Sequence, residues 1–230
     1  SLGGSVSNQG QWTIGIGYDE LRHNISDTYQ TPQQGVMGGN IFTLPPSFGY
    51  VASQPVVPVN KATEVSLNAT QLGAFHTVDV GTTRKNTSFN AGYNFNPQLS
   101  VQFGYNRLKQ SGAKLMSSGA LGAVATPDGG TWRAEAISIL MNPTNYQTDN
   151  FDLALNWIGD KGHLTGSYYA SSFSNGYDRL TWQNAYKSGA GPFVCAIPPC
   201  AQTTTMSTAP ANDFHQLNVS GGYAFSSSTK

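Results

Sequence analysis

Apolar and polar residues alternate one by one along several stretches of this chain. In residues 88–95 the apolar side chains fall on odd positions, and residues 99–106 continue the same alternation after a turn at 96–98. Residues 216–225 repeat it. One face of each predicted strand is apolar and ends in aromatic residues, whereas the other face carries small, uncharged polar residues. This pattern is typical of an outer-membrane β-barrel, whose strands face lipid on one side and the interior on the other.

The alternation predicts about eight strands and therefore an all-β fold, an antiparallel transmembrane β-barrel of which this chain forms a part. The strands are expected at residues 12–22, from between 75 and 84 to 95, 99–109, 131–141, 149–158, 163–173, 177–186 and 212–225. Between them we expect long loops at about 23–75, 110–130 and 187–211. The first of these loops is rich in proline, which a central strand does not accept.

The lengths of the connections predict the orientation of the strands. Barrels of this kind have short periplasmic turns and longer extracellular loops. If the turn at 96–98 is periplasmic, all three long loops are extracellular and the turns at 142–148, 174–176 and 226–230 are periplasmic. The short hairpin at 159–162 then becomes an exception on the outside, and Trp157 is expected in the outer aromatic girdle.

The composition supports a barrel and excludes several other classes. Charged residues make up 10% of the chain, against about a quarter in ordinary soluble domains, and 12 basic residues balance 12 acidic ones. The chain therefore has no excess of basic residues of the kind that binds nucleic acid. No apolar run is long enough for a membrane helix. The chain ends in a Ser-rich segment typical of a turn, so we expect residues 1–230 to be part of one larger barrel domain.

The two faces supply the candidate binding residues. Arg107 and Lys109 continue the lipid-facing alternation just past Tyr105, where lipopolysaccharide phosphates lie; the alternative is a pair of solvated strand-end charges. The residues expected to face the lumen and contact a guest are Ser88, Asn90, Asn94, Gln102, Asn106, Asn156, Gln216, Asn218 and Ser220.

No pattern in the chain points to catalysis or to a metal. There is no haem-attachment motif, no histidine cluster with metal spacing and no nucleophile placed beside a base. Asp149 and Asp152 form a candidate carboxylate pair, but Asp152 alone has clear lumen parity. Cys195 and Cys200 are expected to form a disulfide in an extracellular loop, with a redox-active pair as the alternative. We therefore expect a protein that is not an enzyme.

Several segments resemble the MtrB/PioB family of outer-membrane barrels that accompany decahaem cytochromes. The similar segments are residues 105–112, 143–151 (PTNYQTDNF), 168–175 (YYASSFSN), 180–184 (LTWQN), 211–217 (ANDFHQL) and 221–223. The resemblance covers most of residues 70–230 and is weak before them, and an N-terminal cysteine motif of some members is absent. It implies a barrel that sheaths a periplasmic multihaem cytochrome, which carries the haem, so that no cofactor is expected in this chain. An extracellular cytochrome would be an optional further partner.

Three other functions are weighed against this one. A general diffusion porin usually lines its lumen with charged rows, and the predicted inner wall is nearly uncharged. A barrel enzyme needs a carboxylate, histidine or serine constellation at its rim. A soluble β-solenoid or adhesin shows a fixed repeat period, whereas the spacings here are irregular.

Overall fold

The computed structural model describes residues 1–48, 69–125, 131–183 and 203–225. Most of them form one seven-stranded antiparallel sheet. Its strands, numbered along the chain and listed here as they lie side by side, are β1 (Leu2–Asn8), β2 (Trp12–Thr31), β4 (His76–Asn96), β5 (Leu99–Ala125), β6 (Thr131–Ile158), β7 (Gly162–Asn175) and β10 (Asn212–Tyr223). The all-β antiparallel fold expected from the alternation is confirmed, and the sheet is open, with β1 and β10 at its edges.

A second, smaller sheet joins segments that are far apart in the chain. It contains β3 (Ile41–Phe42), β8 (Arg179–Gln183) and β9 (Thr203–Ser207), in the order β3-β8-β9. The described helices are a 3-10 turn at Pro46–Phe48 and the single turn α1 (Ala69–Leu72). Neither is long and apolar enough to cross a membrane.

Three connections of two or three residues lie at one end of the large sheet. Residues 9–11 join β1 to β2, residues 97–98 join β4 to β5, and residues 159–161 join β6 to β7. Gly10 adopts a φ of +78°, a backbone conformation that glycine accepts without strain. The side-chain oxygen of Asn96 accepts hydrogen bonds from the backbone amides of Gln98 and Leu99, which fixes that turn.

The two strands expected at 131–141 and 149–158 are one strand, β6, and the expected turn at 142–148 was wrong. Residues 110–125, expected in a loop, continue β5 and pair with β6 as far as the Ala125–Thr131 pair. Pro143 lies inside β6, where it pairs with Ala113. Strand β7 joins β6 only from Tyr146 onward, so in the large sheet Pro143 has a neighbouring strand on one side only, and its missing N–H is tolerated there.

Merging these strands reverses the direction assigned to the segments that follow. The hairpin at 159–162 lies at the same end as the turn at 96–98, so this hairpin is no longer an exception to the rule of short turns. The segment at 174–176 belongs to the opposite end. Trp157 pairs with Leu99 beside the short turn, so its expected place in the girdle at the other end was wrong.

Three further features differ from the sequence-based expectation. The first predicted strand extends beyond Arg22 to Thr31, and a strand before it, β1, had no counterpart in the prediction. The strand expected at 177–186 is reduced to β8 in the small sheet. Losing the turn at 142–148 reverses the expected direction of the strands after it, and losing this strand from the large sheet reverses it again. Strand β10 therefore keeps its expected direction, and its bounds are close to those predicted.

A dense apolar core lies where the small sheet meets the long strands, at the end away from the short turns. Its most deeply buried large side chains, each at most 3% exposed, are those of Phe42, Leu140, Met141, Leu180 and Trp182. Leu140 and Met141 are consecutive in β6, so positions on both faces of that strand are buried here. The strands at this end are therefore packed as in a soluble domain, and the simple alternation of two faces ends here.

Candidate functional site

One face of the large sheet is apolar and exposed over a band that runs from the short turns to the level of Arg107. On β5 this face runs from Leu99 to Arg107, nine positions, close to the roughly 9–11 residues of a tilted transmembrane strand. The neighbours in register are Ile14 and Ile16 of β2, Phe89 and Tyr93 of β4, Val101, Phe103 and Tyr105 of β5, Phe151, Leu153 and Leu155 of β6, Tyr168 of β7, and Leu217 and Val219 of β10. We call this surface the apolar band. Leu217 is 74% exposed, and a continuous apolar surface of this size is suited to lipid.

Aromatic rings border the apolar band at both ends. Near the short turns, the rings of Tyr93 and Phe95 meet edge to face at 4.9 Å, and Trp157 lies at the same end. At the other end, the rings of Tyr105 and Phe151 are 4.8 Å apart. Aromatic girdles at two interfaces are the expected borders of a membrane-spanning band.

The opposite face, which we call the polar wall, contains all nine residues predicted to contact a guest. Cross-strand pairing places Ser88 opposite Asn106 and aligns Gln102 with Gly92. The predicted members on this one face are Ser88, Asn90, Asn94, Gln102, Asn106, Asn156, Gln216, Asn218 and Ser220. The register adds Ser100, Asn150, Thr165, Ser167 and Tyr169, which the prediction had not singled out. The sequence signal for these five was the same parity, applied to correctly placed strands.

Glycines let side chains lie flat on the polar wall. A Cβ added to Gly15 would lie 2.5 Å from the amide oxygen of Asn90, and one added to Gly104 would collide with the carboxylate of Asp152. A depression of about 600 Å³ opens on this part of the wall, and Gln102 also lines it. The polar wall is thus a low, concave surface rather than a row of projecting side chains.

At the level of the apolar band, Asp152 is the charged residue on the described part of the polar wall. Among the described residues at the level of the apolar band, no other acidic or basic side chain lies on this face. Asp149, three positions away, lies on the opposite face. The two carboxylates therefore do not form the pair that the sequence left open.

The predicted rim residue Arg107 is held in a small polar network. Its Nε lies 2.7 Å from Oδ1 of Asp149, and the Tyr105 hydroxyl donates to the same oxygen at 2.6 Å. Gln147 donates to Oδ2 of Asp149 at 2.6 Å, and the guanidinium carbon of Arg107 lies 5.8 Å from the centre of the Tyr105 ring. Arg107 is therefore anchored at the outer border of the apolar band.

Two other groups of expected site residues have different outcomes. Cys195 and Cys200 lie outside the described residues, so their disulfide stays a prediction. Within the described ranges, no cluster of three or more His, Cys, Asp or Glu residues is arranged to hold a metal ion.

The comparisons with known proteins agree with this geometry. The family model for outer membrane beta-barrel porins of the MtrB/PioB type matches residues 1–230. The chain is also 22% identical over 220 residues to the outer membrane protein MtrB of Shewanella baltica (strain OS185). That match covers 95% of this chain and 27% of the relative, so the chain spans about a quarter of the relative's length.

Proposed function

The chain belongs to the MtrB/PioB family of outer-membrane β-barrel porins, and we propose that it forms one section of a barrel wall that surrounds a periplasmic multihaem c-type cytochrome. The barrel would let the cytochrome pass electrons across the outer membrane. The open edges at β1 and β10 are the places where further strands of the same barrel would pair.

The polar wall carries this proposal. In the described part of the chain it presents hydroxyl, amide and glycine positions across all seven strands of the large sheet, with Asp152 as its charge at the level of the apolar band. Neutral polar groups can hydrogen-bond a protein surface or bridging waters without leaving a charge buried and unpaired. Such a wall suits a closely fitting protein guest.

The membrane explains why a cytochrome would need this wall. The hydrocarbon layer is about 30 Å thick, and lipid does not solvate the charges and polar backbone of a haem-bearing polypeptide. A barrel with a polar interior supplies the missing solvation, while the apolar band faces lipid. In this role the barrel itself needs neither a cofactor nor a catalytic residue, because the partner carries the haem.

A general diffusion porin is the second candidate function, favoured by the hydrophilic character of the same wall and by the porin class of the family. Opposed rows of charged residues normally tune the selectivity of a pore, and one carboxylate provides little of that. A channel built on this wall would therefore conduct with weak ion selectivity.

Reconstitution separates the two functions. The complete outer-membrane protein that contains this chain is placed in liposomes that enclose a redox dye, with or without the co-purified cytochrome. We expect an external electron donor to reduce the dye only when the cytochrome is present. Selective conductance by the barrel alone in planar bilayers, with no haem absorption in the natively purified complex, would instead establish the porin.

A further inference from the structure

Three basic side chains are grouped on the outward face of the sheet, directly beyond the aromatic border of the apolar band. Lys85 of β4 and Lys109 of β5 are cross-strand partners, and Arg107 precedes Lys109 by two positions on the same face. The side chains of Lys85 and Arg107 are 49% and 44% exposed, and Lys109 is exposed. We call these three residues the rim patch.

The three cations of the rim patch outnumber the carboxylates that are paired with them. Nζ of Lys85 lies 3.6 Å from Glu20, and Arg107 uses Nε to bind Asp149. Both carboxylates also accept a tyrosine hydroxyl, since Tyr18 and Tyr105 donate to Glu20 and Asp149 respectively. Among the described residues, two carboxylates are thus paired with the three cations of the rim patch.

Among the described residues, Lys109 differs from Lys85 and Arg107 in having no carboxylate paired with it. Its cross-strand neighbours are Lys85 on one side and the neutral Gln147 on the other. Like charges directly opposite each other destabilise a sheet. No described side chain forms an ion pair with Lys109. An anion bound between the two lysines would remove this repulsion.

The position of the rim patch identifies the anion. The patch lies at the end of the apolar band away from the short turns, and short turns in such barrels are periplasmic. It therefore faces the headgroup layer of the outer leaflet. We propose that Lys85, Arg107 and Lys109 bind the phosphate groups of lipid A, so that the outer face of this barrel carries a lipopolysaccharide site.

Native mass spectrometry of the complete outer-membrane protein in detergent tests this site. The protein is incubated with bisphosphorylated lipid A or with its monophosphorylated form, and the bound lipid is counted. We expect the bisphosphorylated form to bind more tightly. The variants Lys85→Gln and Lys109→Gln should each weaken its binding about fivefold, as expected for one basic residue near an anionic surface.

Lys161→Gln is the matched control, because Lys161 lies in the short turn at the opposite end of the sheet. It should bind lipid A as the unmodified protein does, and Lys109→Arg should keep most of the affinity because it keeps the charge. Heat-modifiable gel mobility, the difference in migration between unheated and heated samples, confirms that each variant is assembled. The site is overturned if the glutamine variants bind lipid A as well as the Lys161→Gln control does, or if inorganic phosphate at millimolar concentration displaces the lipid.

Discussion

The same long strands of this protein are stabilised in two different ways along their length. In the apolar band, side chains alternate between a lipid-type face and a polar face, and large residues such as Leu217 and Ile16 stay exposed. At the end away from the short turns, which we call the far end, Phe42, Leu180 and Trp182 are almost fully buried by protein. The band therefore depends on what surrounds the sheet, whereas the far end contains its own core.

This difference makes a general point about strand patterns in membrane proteins. A period of two residues reports that a strand has two different surroundings, and it disappears where both faces are packed by the same chain. The consecutive buried residues Leu140 and Met141 mark that change within β6. A membrane-spanning strand can thus continue into a region with the packing of a soluble domain.

The largest expected effect is in the far-end core. Phe42→Ala should lower the free energy of unfolding by about 3–5 kcal/mol, because it leaves a cavity where the ring was buried. Ile41→Ala is the neighbouring control, since Ile41 is 61% exposed, and it should change stability by less than about 0.5 kcal/mol. Urea unfolding in micelles measures both. Equal losses at the two positions would show that the core is not packed as described.

The next effect tests the apolar band. Phe103→Arg should destabilise the protein by about 2–4 kcal/mol if the side chain lies near the middle of the membrane. Gln102→Arg, one position away on the polar wall, should be much milder in the absence of a guest. Refolding into lipid bilayers measures both variants. Equal effects at positions 102 and 103 would contradict the two-faced band.

A smaller effect compares hydrogen bonds in the two regions. The Tyr29 hydroxyl donates to the backbone carbonyl of Ile139 at 2.6 Å at the far end. Tyr29→Phe should therefore lower the free energy of unfolding by about 1 kcal/mol. The Tyr169 hydroxyl donates to Asn150 on the polar wall at 3.2 Å, and Tyr169→Phe should cost less than about 0.5 kcal/mol. If thermal unfolding gave the reverse order, the contrast between the regions would fail.

The smallest effect is at the border of the apolar band. Arg107→Gln removes the ion pair with Asp149, and exposed pairs contribute about 0–1 kcal/mol. The loss should shrink in 1 M salt, where the screening length falls to about 3 Å. Chemical unfolding at low and high salt checks this, and a loss that stays the same in both would show that packing on Tyr105, rather than charge, is what Arg107 contributes.

The parts of the fold that were predictable are those that local alternation determines. The end of β4, the bounds of β10 and the start of β5 follow from apolar residues on one parity, and so do the nine predicted members of the polar wall. The same local signal predicted a turn at Pro143, because proline usually interrupts a ladder. Whether a neighbouring strand lies beside Pro143 depends on where β7 ends, which no local pattern records.

The small sheet was not predictable for a related reason. Phe42 and Trp182 come from segments far apart in the chain, and the pairing of β3 with β8 depends on how the intervening strands fold. The two-residue strand β3 is too short for a periodicity to exist. The polar partners of Arg107 were likewise hidden, since Asp149 reaches it only through the register of β5 with β6.

The most direct test of the polar wall is site-specific photo-crosslinking in the native membrane. A photoreactive residue is placed at Gln102 or Asn218 of the polar wall, and at the adjacent positions Phe103 or Leu217 of the apolar band. Positions 102 and 218 should form cross-links to a protein that stains for haem, while positions 103 and 217 should label lipid. Haem-staining cross-links from both faces alike, or from neither position of the polar wall, would contradict the account.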